Sequence, residues 1–334
     1  MEKIRILLTR SMIPEDIEYI KNRLDENIRD CYEFVVPSEF TEDKIANKAT
    51  DADVLLGPYI TQNILDNAKK LKLIQVPWTG MDTFDFEAVK GCSIPVCNTH
   101  SNADSVAEIC IAILLDLLKK VSYHDRKMRE GNWNRDQEPL DLKSKMLSKQ
   151  TVCLLGCGNI GNKIAKLVSA FGATVIAVDG QKQPDKVVSE VFGPDSISVA
   201  ISKANIIVSA LPLTTATRNI VNAELVGNMI DGVIIVNMSR ASVMDEDAIY
   251  EGLLSGKVLG FGADVWWNTP KRGDSESFPS AHNEFWKLDN VVMSPHRAGF
   301  VENWFPHLDG AIENIVNIVN NKALVSLVDT SQGF

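Results

Sequence analysis

Val152-Cys153-Leu154-Leu155-Gly156-Cys157-Gly158-Asn159-Ile160-Gly161 decides the fold of this chain. The apolar run reads as a buried strand, the glycines as a turn, and the residues from Gly161 as a helix with Ile164, Leu167, Val168 and Phe171 on one face. Thr174-Val175-Ile176-Ala177-Val178 reads as the next strand, and Asp179 ends it. A G-x-G-x-x-G alone is a weak signal, because glycine turns are common. Strand, turn, helix, strand and acid in this order describe a dinucleotide-binding βαβ unit. Gly156 permits the tight turn, Gly158 lets the backbone approach a pyrophosphate, and Gly161 lets the helix pack closely on the sheet. The helix start at Asn159 and Ile160 turns unpaired N–H groups and a positive dipole end toward the phosphates. Asp179 can accept hydrogen bonds from ribose hydroxyls, whereas a 2′-phosphate there would meet a negative charge. NAD is therefore expected over NADP.

Working outward, the first hundred residues alternate strand and helix signals: strands at 4–8, 32–36, 53–56 and 72–76, and a helix at 15–24. That rhythm predicts a small parallel sheet covered on both faces. A long helix is expected over 105–129, then a polar, irregular connection over 131–150. From the glycine turn onward, strands are expected near 152–155, 174–178, 206–209, 233–236, 258–261 and 291–293, the six of a doubly wound domain. A last helix is expected near 302–320. Because the glycine motif begins so late, that helix must return to the first domain. The expected architecture is α/β, with two doubly wound parallel-sheet domains. A flavodoxin-like substrate domain takes residues 1–102 plus 299–334, a Rossmann dinucleotide domain takes 103–298, and the cleft lies between them.

The chain has 334 residues, 45% of them hydrophobic and 23% charged, as in ordinary globular proteins. A formal charge of −10 argues against nucleic acid as a partner, and means that an anionic substrate must be drawn in by local positive groups. The most apolar segment, Ile109 to Leu118, is interrupted by Asp116 and falls short of the roughly 20 residues that span a bilayer. No secretory leader is expected, nor any membrane partner. The six cysteines show no paired spacing of a metal site, so reduced thiols in a cytoplasmic protein and no metal are expected. Cys157, inside the glycine turn, is open to oxidation or alkylation on this reading.

A nicotinamide enzyme acting on an alcohol or carbonyl needs an acid–base near the oxygen and a positive group on the substrate. Candidates belong at the C-terminal ends of strands in the second domain. Arg240 follows Val233-Ile234-Ile235-Val236-Asn237-Met238-Ser239, and its guanidinium can grip a carboxylate in a bidentate fork; pairing with Asp245 is the plainer alternative. His296 follows Val291-Val292-Met293-Ser294-Pro295 and suits proton exchange near neutral pH. Asp264, after Val258 to Ala263, can accept from a nicotinamide carboxamide, with helix capping as the competing role. His100, His124 and His282 read as ordinary loop histidines.

Together these segments resemble the D-isomer-specific 2-hydroxyacid dehydrogenases, the family of phosphoglycerate, D-lactate, glycerate and formate dehydrogenases. The resemblance runs over nearly the whole chain: Trp78-Thr79-Gly80-Met81-Asp82, Asn98 through Glu108, the glycine turn, Leu211 through Thr217, Asn237 through Ala241, Gly262 through Trp266, and Ser294 through Gly299. It implies a hydride transfer between NAD(H) and C2 of a D-2-hydroxyacid or 2-oxoacid. In that reaction Arg240 binds and polarises the substrate and His296 is the acid–base. It implies substrate contacts from Trp78, Thr79, Gly80 and Asn102. Cofactor contacts are implied for Val106, Gly156, Gly158, Asn159, Ile160, Gly161, Asp179, Leu211, Pro212, Thr217, Met238, Ser239, Asp264, Ala298 and Gly299. It further implies a homodimer formed through the NAD-binding domain.

One position departs from the family pattern. Where D-V-x-x-x-E-P places a Glu that pairs with the catalytic His, this chain has Asp264-Val265-Trp266-Trp267-Asn268-Thr269-Pro270. Without a carboxylate partner the imidazole starts from the free value of about 6.5. Loss of ring orientation costs more than that shift, as the His-orienting Asp of serine proteases shows. Thr269 can make one hydrogen bond, and Asp274 or Glu276 can substitute. Two alternatives follow: formate-dehydrogenase-like hydride transfer, supported by Asn102, or a catalytically weakened NAD-binding sensor. Trp78, Trp267 and Trp304 are candidates for an aromatic pocket, with ordinary core packing as the competing role.

Overall fold

The structure is a computed structural model that describes all residues except 1–2, 13, 25–28, 134–143, 181–185, 271–273, 275, 303–304, 332 and 334. The chain divides into two compact units, Met1–Asn102 with Gly299–Phe334, and Ala103–Ala298. Of the connection expected over 131–150, residues 134–143 lie outside the described residues.

In the first unit, β1 (Ile4–Leu8), β2 (Tyr32–Val35), β3 (Val54–Leu56), β4 (Leu73–Gln75) and β5 (Val96–Cys97) form a parallel sheet in the order β2-β1-β3-β4-β5. Successive side chains along β1 serve opposite faces, as strand geometry requires. Leu7 packs with Leu55, Ile74, Ile45 and Ile64, while Ile6 and Leu8 pack with Leu56, Leu73, Ile20, Leu308 and Ile315. The second set is closed by helix Pro306–Val319, which starts on a proline that needs no N–H partner. A buried polar network ties it in. Asn314 donates to Gln75 Oε1 at 2.8 Å, and Gln75 donates to the carbonyls of Val76, Cys97 and Asn98. β5 has only two residues, too few to stand out as an apolar run.

In the second unit, β6 (Thr151–Leu155), β7 (Thr174–Val178), β8 (Glu190–Phe192), β9 (Ile206–Ser209), β10 (Val233–Asn237), β11 (Val258–Ala263) and β12 (Val291–Met293) form a parallel sheet in the order β12-β11-β10-β9-β6-β7-β8. Among the described residues there are seven strands rather than the expected six. The extra one, β8, is an edge strand whose short, half-polar sequence hides it. The expected helix over 105–129 is two helices, Ala103–Lys119 and Val121–Arg129. Lys120 between them is left-handed, with φ 58°. Asp116 explains the break, because its carboxylate accepts from the Ser122 N–H at 2.7 Å and the Ser122 hydroxyl at 2.5 Å, starting the second helix afresh. The first helix lies tight on β11: a Cβ at Gly262 would stand 2.2 Å from Ile113 Cγ2. Among the described residues, no helix is long and apolar enough to cross a membrane.

Candidate active site

The sheet of the second unit reverses direction of growth between β6 and β9, and the glycine turn follows β6 at that point. Gly156 has φ 95°, and a Cβ there would lie 3.0 Å from the Ala210 carbonyl oxygen. At Gly161 a Cβ would lie 2.1 Å from the Gly156 carbonyl oxygen, so only glycine lets helix Asn159–Ala170 begin against the turn. That packing leaves a helix N-terminus capped by Gly158, with no side-chain cap, facing the end of the sheet. Asp179 accepts from the Cys157 N–H at 2.7 Å, which fixes its carboxylate beside the turn. Asn162, which the sequence reading passed over, donates to the Cys157 carbonyl at 2.7 Å and braces the turn from below. A conventional signal for it would have been an amide one residue past the last glycine. These residues fit a dinucleotide: the cradle is glycine where a side chain would fill it, and an acid closes the ribose end.

Cys157 does not match its expected vulnerability. It is fully buried, and burial, followed by the charge of Asp179, pushes its thiol up to about 11. A thiol held that far above neutrality is a poor nucleophile.

Three neighbouring strands of the same sheet lead into the three residues singled out for chemistry. At the end of β10, Asn237 turns the chain: its Oδ1 accepts from the Ser239 N–H and hydroxyl, and its amide donates to the Arg240 carbonyl at 3.0 Å. Arg240 is half-buried, and its Nη1 donates to the Ser239 carbonyl at 3.0 Å. Asp245 is not its partner; that carboxylate caps helix Glu246–Ser255 by accepting from the Ala248 N–H at 2.9 Å.

Asp264, after β11, is 3% exposed. One of its oxygens accepts from the Ser294 hydroxyl at 2.5 Å and the Arg297 N–H at 2.9 Å, the other from the Ala298 N–H at 2.9 Å. Three of its roughly four acceptor sites therefore grip the loop on both sides of His296. Residues 265–270 are not helical, so capping is not its role. Trp266 adds a donor to the Ser294 carbonyl at 2.9 Å. His296 itself is exposed, in a left-handed conformation with φ 52°. A non-glycine residue there is strained by about 1–2 kcal/mol, and the Asp264 clamp on its flanks is what holds it.

Thr269 does not orient the imidazole. It is exposed and its hydroxyl turns back to the Trp266 carbonyl at 3.4 Å. Asp274 and Glu276 are exposed and make no ion pair or hydrogen bond among the described residues. Trp267 is core: it stacks on Phe285 at 5.3 Å and donates to the Met244 carbonyl. Trp304 lies outside the described residues. Val106, Met238 and Ala298 sit in one buried apolar cluster with the first helix of the unit, which places them as the floor beneath the strand ends. Ser239 shares a buried hydroxyl contact with Ser209 at 3.0 Å. Leu211 packs against the other face, and Thr217 closes its own turn by donating to the Pro212 carbonyl at 2.6 Å.

In the first unit, Trp78, Thr79 and Gly80 follow β4 and are half-buried. Asn98 holds the turn by donating to the Thr79 carbonyl at 2.8 Å, and the Thr79 hydroxyl donates to Asn102 Oδ1 at 3.0 Å. Among the described residues, the N–H groups of Thr79 and Gly80 have no acceptor. Two adjacent backbone donors are thus left unspent at this turn. Gly299 neighbours Asn102, whose amide would lie 3.3 Å from a Cβ placed there.

A Rossmann sheet with a glycine cradle, and a second parallel sheet of the 2-1-3-4-5 order, define a two-domain nicotinamide-dependent oxidoreductase fold. The family described as D-isomer specific 2-hydroxyacid dehydrogenase, NAD binding domain, matches residues 111–298, and the chain belongs to that family and binds NAD through this domain. A hydroxypyruvate reductase of Thermotoga maritima is 34% identical, over 79% of this chain and 84% of its own. A D-3-phosphoglycerate dehydrogenase of Methanocaldococcus jannaschii is 31% identical over 81% of this chain, but the alignment spans 50% of that longer protein. A D-isomer specific 2-hydroxyacid dehydrogenase of Xanthobacter autotrophicus, solved with NADPH, superposes over all of both chains with a TM-score of 0.80 at 20% identity, a likeness of fold.

Proposed function

We propose that the chain reduces 2-oxoacids to D-2-hydroxyacids with NADH, and catalyses the reverse oxidation. Bound NAD(H) supplies or takes up the hydride at nicotinamide C4. The Arg240 guanidinium binds the substrate carboxylate and polarises the C2 carbonyl, whose oxygen then gains negative character as C2 accepts the hydride. Its bond to the Ser239 carbonyl fixes one arm of the guanidinium. His296, protonated, gives its proton to that oxygen; in the oxidation it takes the proton from the hydroxyl. The N–H groups of Thr79 and Gly80 donate to the substrate carboxylate, with Asn102 and Trp78 beside them. Asp264 acts on His296 through the backbone, which supplies the orientation that a Glu at position 269 would otherwise provide through the ring.

The observation that carries this reading is the common edge of β10, β11 and β12, where Arg240, Asp264 and His296 follow successive strand ends in the sheet that bears the glycine cradle. The test is a screen of 2-oxoacids with NADH and NADPH, plus formate with NAD, on the wild type and Arg240→Ala. The variant is expected to lose about 100-fold or more in kcat/KM on every accepted oxoacid. Full turnover by Arg240→Ala would refute the assignment. Tight NADH binding with no oxoacid reduced would mark a sensor instead, and formate turnover alone would mark the formate-type reaction.

The chain is also proposed to form a homodimer through its NAD-binding unit. Helix Val121–Arg129 has no buried residue, and Val121, Met128, Trp133 and Met146 expose apolar surface around it. A cytoplasmic location goes with this reading, because all six cysteines are free thiols.

A further inference from the structure

The sheet of the first unit has its own switch point. Its order, β2-β1-β3-β4-β5, reverses direction of growth between β1 and β3, and in open α/β sheets ligands lie outside the strand ends at such a place. Thr9 and Arg10 follow β1 there, and Gly57 follows β3. Gly57 has φ 136°, and a Cβ on it would lie 2.6 Å from Thr9 Oγ1, 3.2 Å from Arg10 N and 3.3 Å from Arg10 Cβ. The missing side chain lets Arg10 pass across the end of β3, the strand between its own and β4. Its guanidinium arrives over the Trp78 indole, 4.7 Å from the ring centroid.

The ring holds the guanidinium carbon in place, and the five N–H donors of an arginine lie around its rim. Arg10 is exposed and makes no ion pair or hydrogen bond among the described residues. Thr9, 1% exposed at the same strand end, has a buried hydroxyl without a partner among the described residues. Trp78 is followed directly by the two unspent N–H groups of Thr79 and Gly80. In a chain of formal charge −10, a preset cation beside two unspent N–H donors is a local exception to the overall field.

We propose that Arg10, held on Trp78, is a subsite for a second anionic group, so that the favoured substrates are 2-oxoacids with a terminal carboxylate or phosphate. The inference rests on the 2-oxoacid reading above and names the substrate class of that reaction. Arg10 acts by charge-assisted hydrogen bonds to the distal group, and it sets KM rather than the chemical step.

The test measures kcat and KM with NADH for pyruvate and 2-oxobutyrate, which have neutral side chains, for 2-oxoglutarate and for 3-phosphohydroxypyruvate. Wild type, Arg10→Gln and Arg10→Lys are compared. The wild type is expected to favour at least one anionic acid, and which one separates carboxylate from phosphate. In Arg10→Gln its KM should rise about 10- to 100-fold with kcat little changed and the neutral acids unaffected, and Arg10→Lys should recover part of the loss. The subsite is overturned if the wild type turns over neutral and anionic acids equally, or if Arg10→Gln changes both classes alike or neither. If Arg10→Gln does not fold, Arg10→Lys and the wild-type preference still decide. Reduction of neutral acids without that preference sinks the subsite alone; no reduction of any 2-oxoacid sinks the activity and the subsite together.

Discussion

At the scale of single residues, chemistry here is governed by what each side chain is already bonded to. Asp179 and Cys157 share the glycine turn, yet only the thiol is withdrawn from chemistry. The carboxylate is fixed by one backbone N–H, while the thiol is buried and carried up to about 11. At pH 8 only about one Cys157 in a thousand is then thiolate. Iodoacetamide at pH 8 is therefore expected to label exposed Cys92 on the native protein and to leave Cys157 untouched, with or without NAD. Peptide mapping that finds Cys157 labelled as fast as Cys92 would contradict that burial. Sequence could place Cys157 in the turn; it could not show that the thiol points into the core.

At the scale of elements, the decisive unit is the loop Ser294 through Ala298, tied to the end of β11 by one carboxylate. Asp264→Asn tests it. The substitution turns one acceptor into a donor, so whichever way the amide faces, one N–H of the loop or the Ser294 hydroxyl meets a group that cannot accept. His296 should lose its place, and kcat should fall about 10- to 100-fold, since displacements near 1 Å cost rates of that order. NADH affinity, measured by fluorescence titration, should change only a few-fold. An unchanged kcat would show that the clamp does not position the acid–base. The strand ends bearing Arg240, Asp264 and His296 were legible in the sequence, because apolar runs stop just before them. The clamp was not, since its partners are 30 or more residues apart and meet only when β11 and β12 pair in register. The break at Lys120 was hidden for a similar reason: helical periodicity continues through it, and only the competing bonds of Asp116 interrupt the backbone.

For the whole molecule, the first unit depends on a segment that returns after the entire second unit has been traversed. Asn314, fully buried on helix Pro306–Val319, accepts from the Val325 N–H at 2.8 Å and donates to Gln75 Oε1 and to the Val325 carbonyl. Asn314→Ala leaves buried groups on both sides without partners, at a cost of about 1–3 kcal/mol for each group left unsatisfied. Urea unfolding followed at the first unit should show that loss, while NADH binding by the second unit is retained at low denaturant. A variant as stable as the wild type would mean that the apolar contacts of the helix suffice by themselves.

The order of the motifs determined much of this protein before any coordinate: a glycine turn followed by a strand that ends in an acid, two parallel sheets, a late return to the first, and the residues at the strand ends. Those features are local, since periodicity and backbone freedom are written in neighbouring residues. Tertiary structure alone decided that Asp264 serves the histidine loop, that Thr269 does not, that Trp267 is core, and that Arg10 crosses β3 to lie on Trp78. Each of these depends on which strand lies beside which. Sheet order is set by the packing of the whole chain, and no short window of sequence contains it.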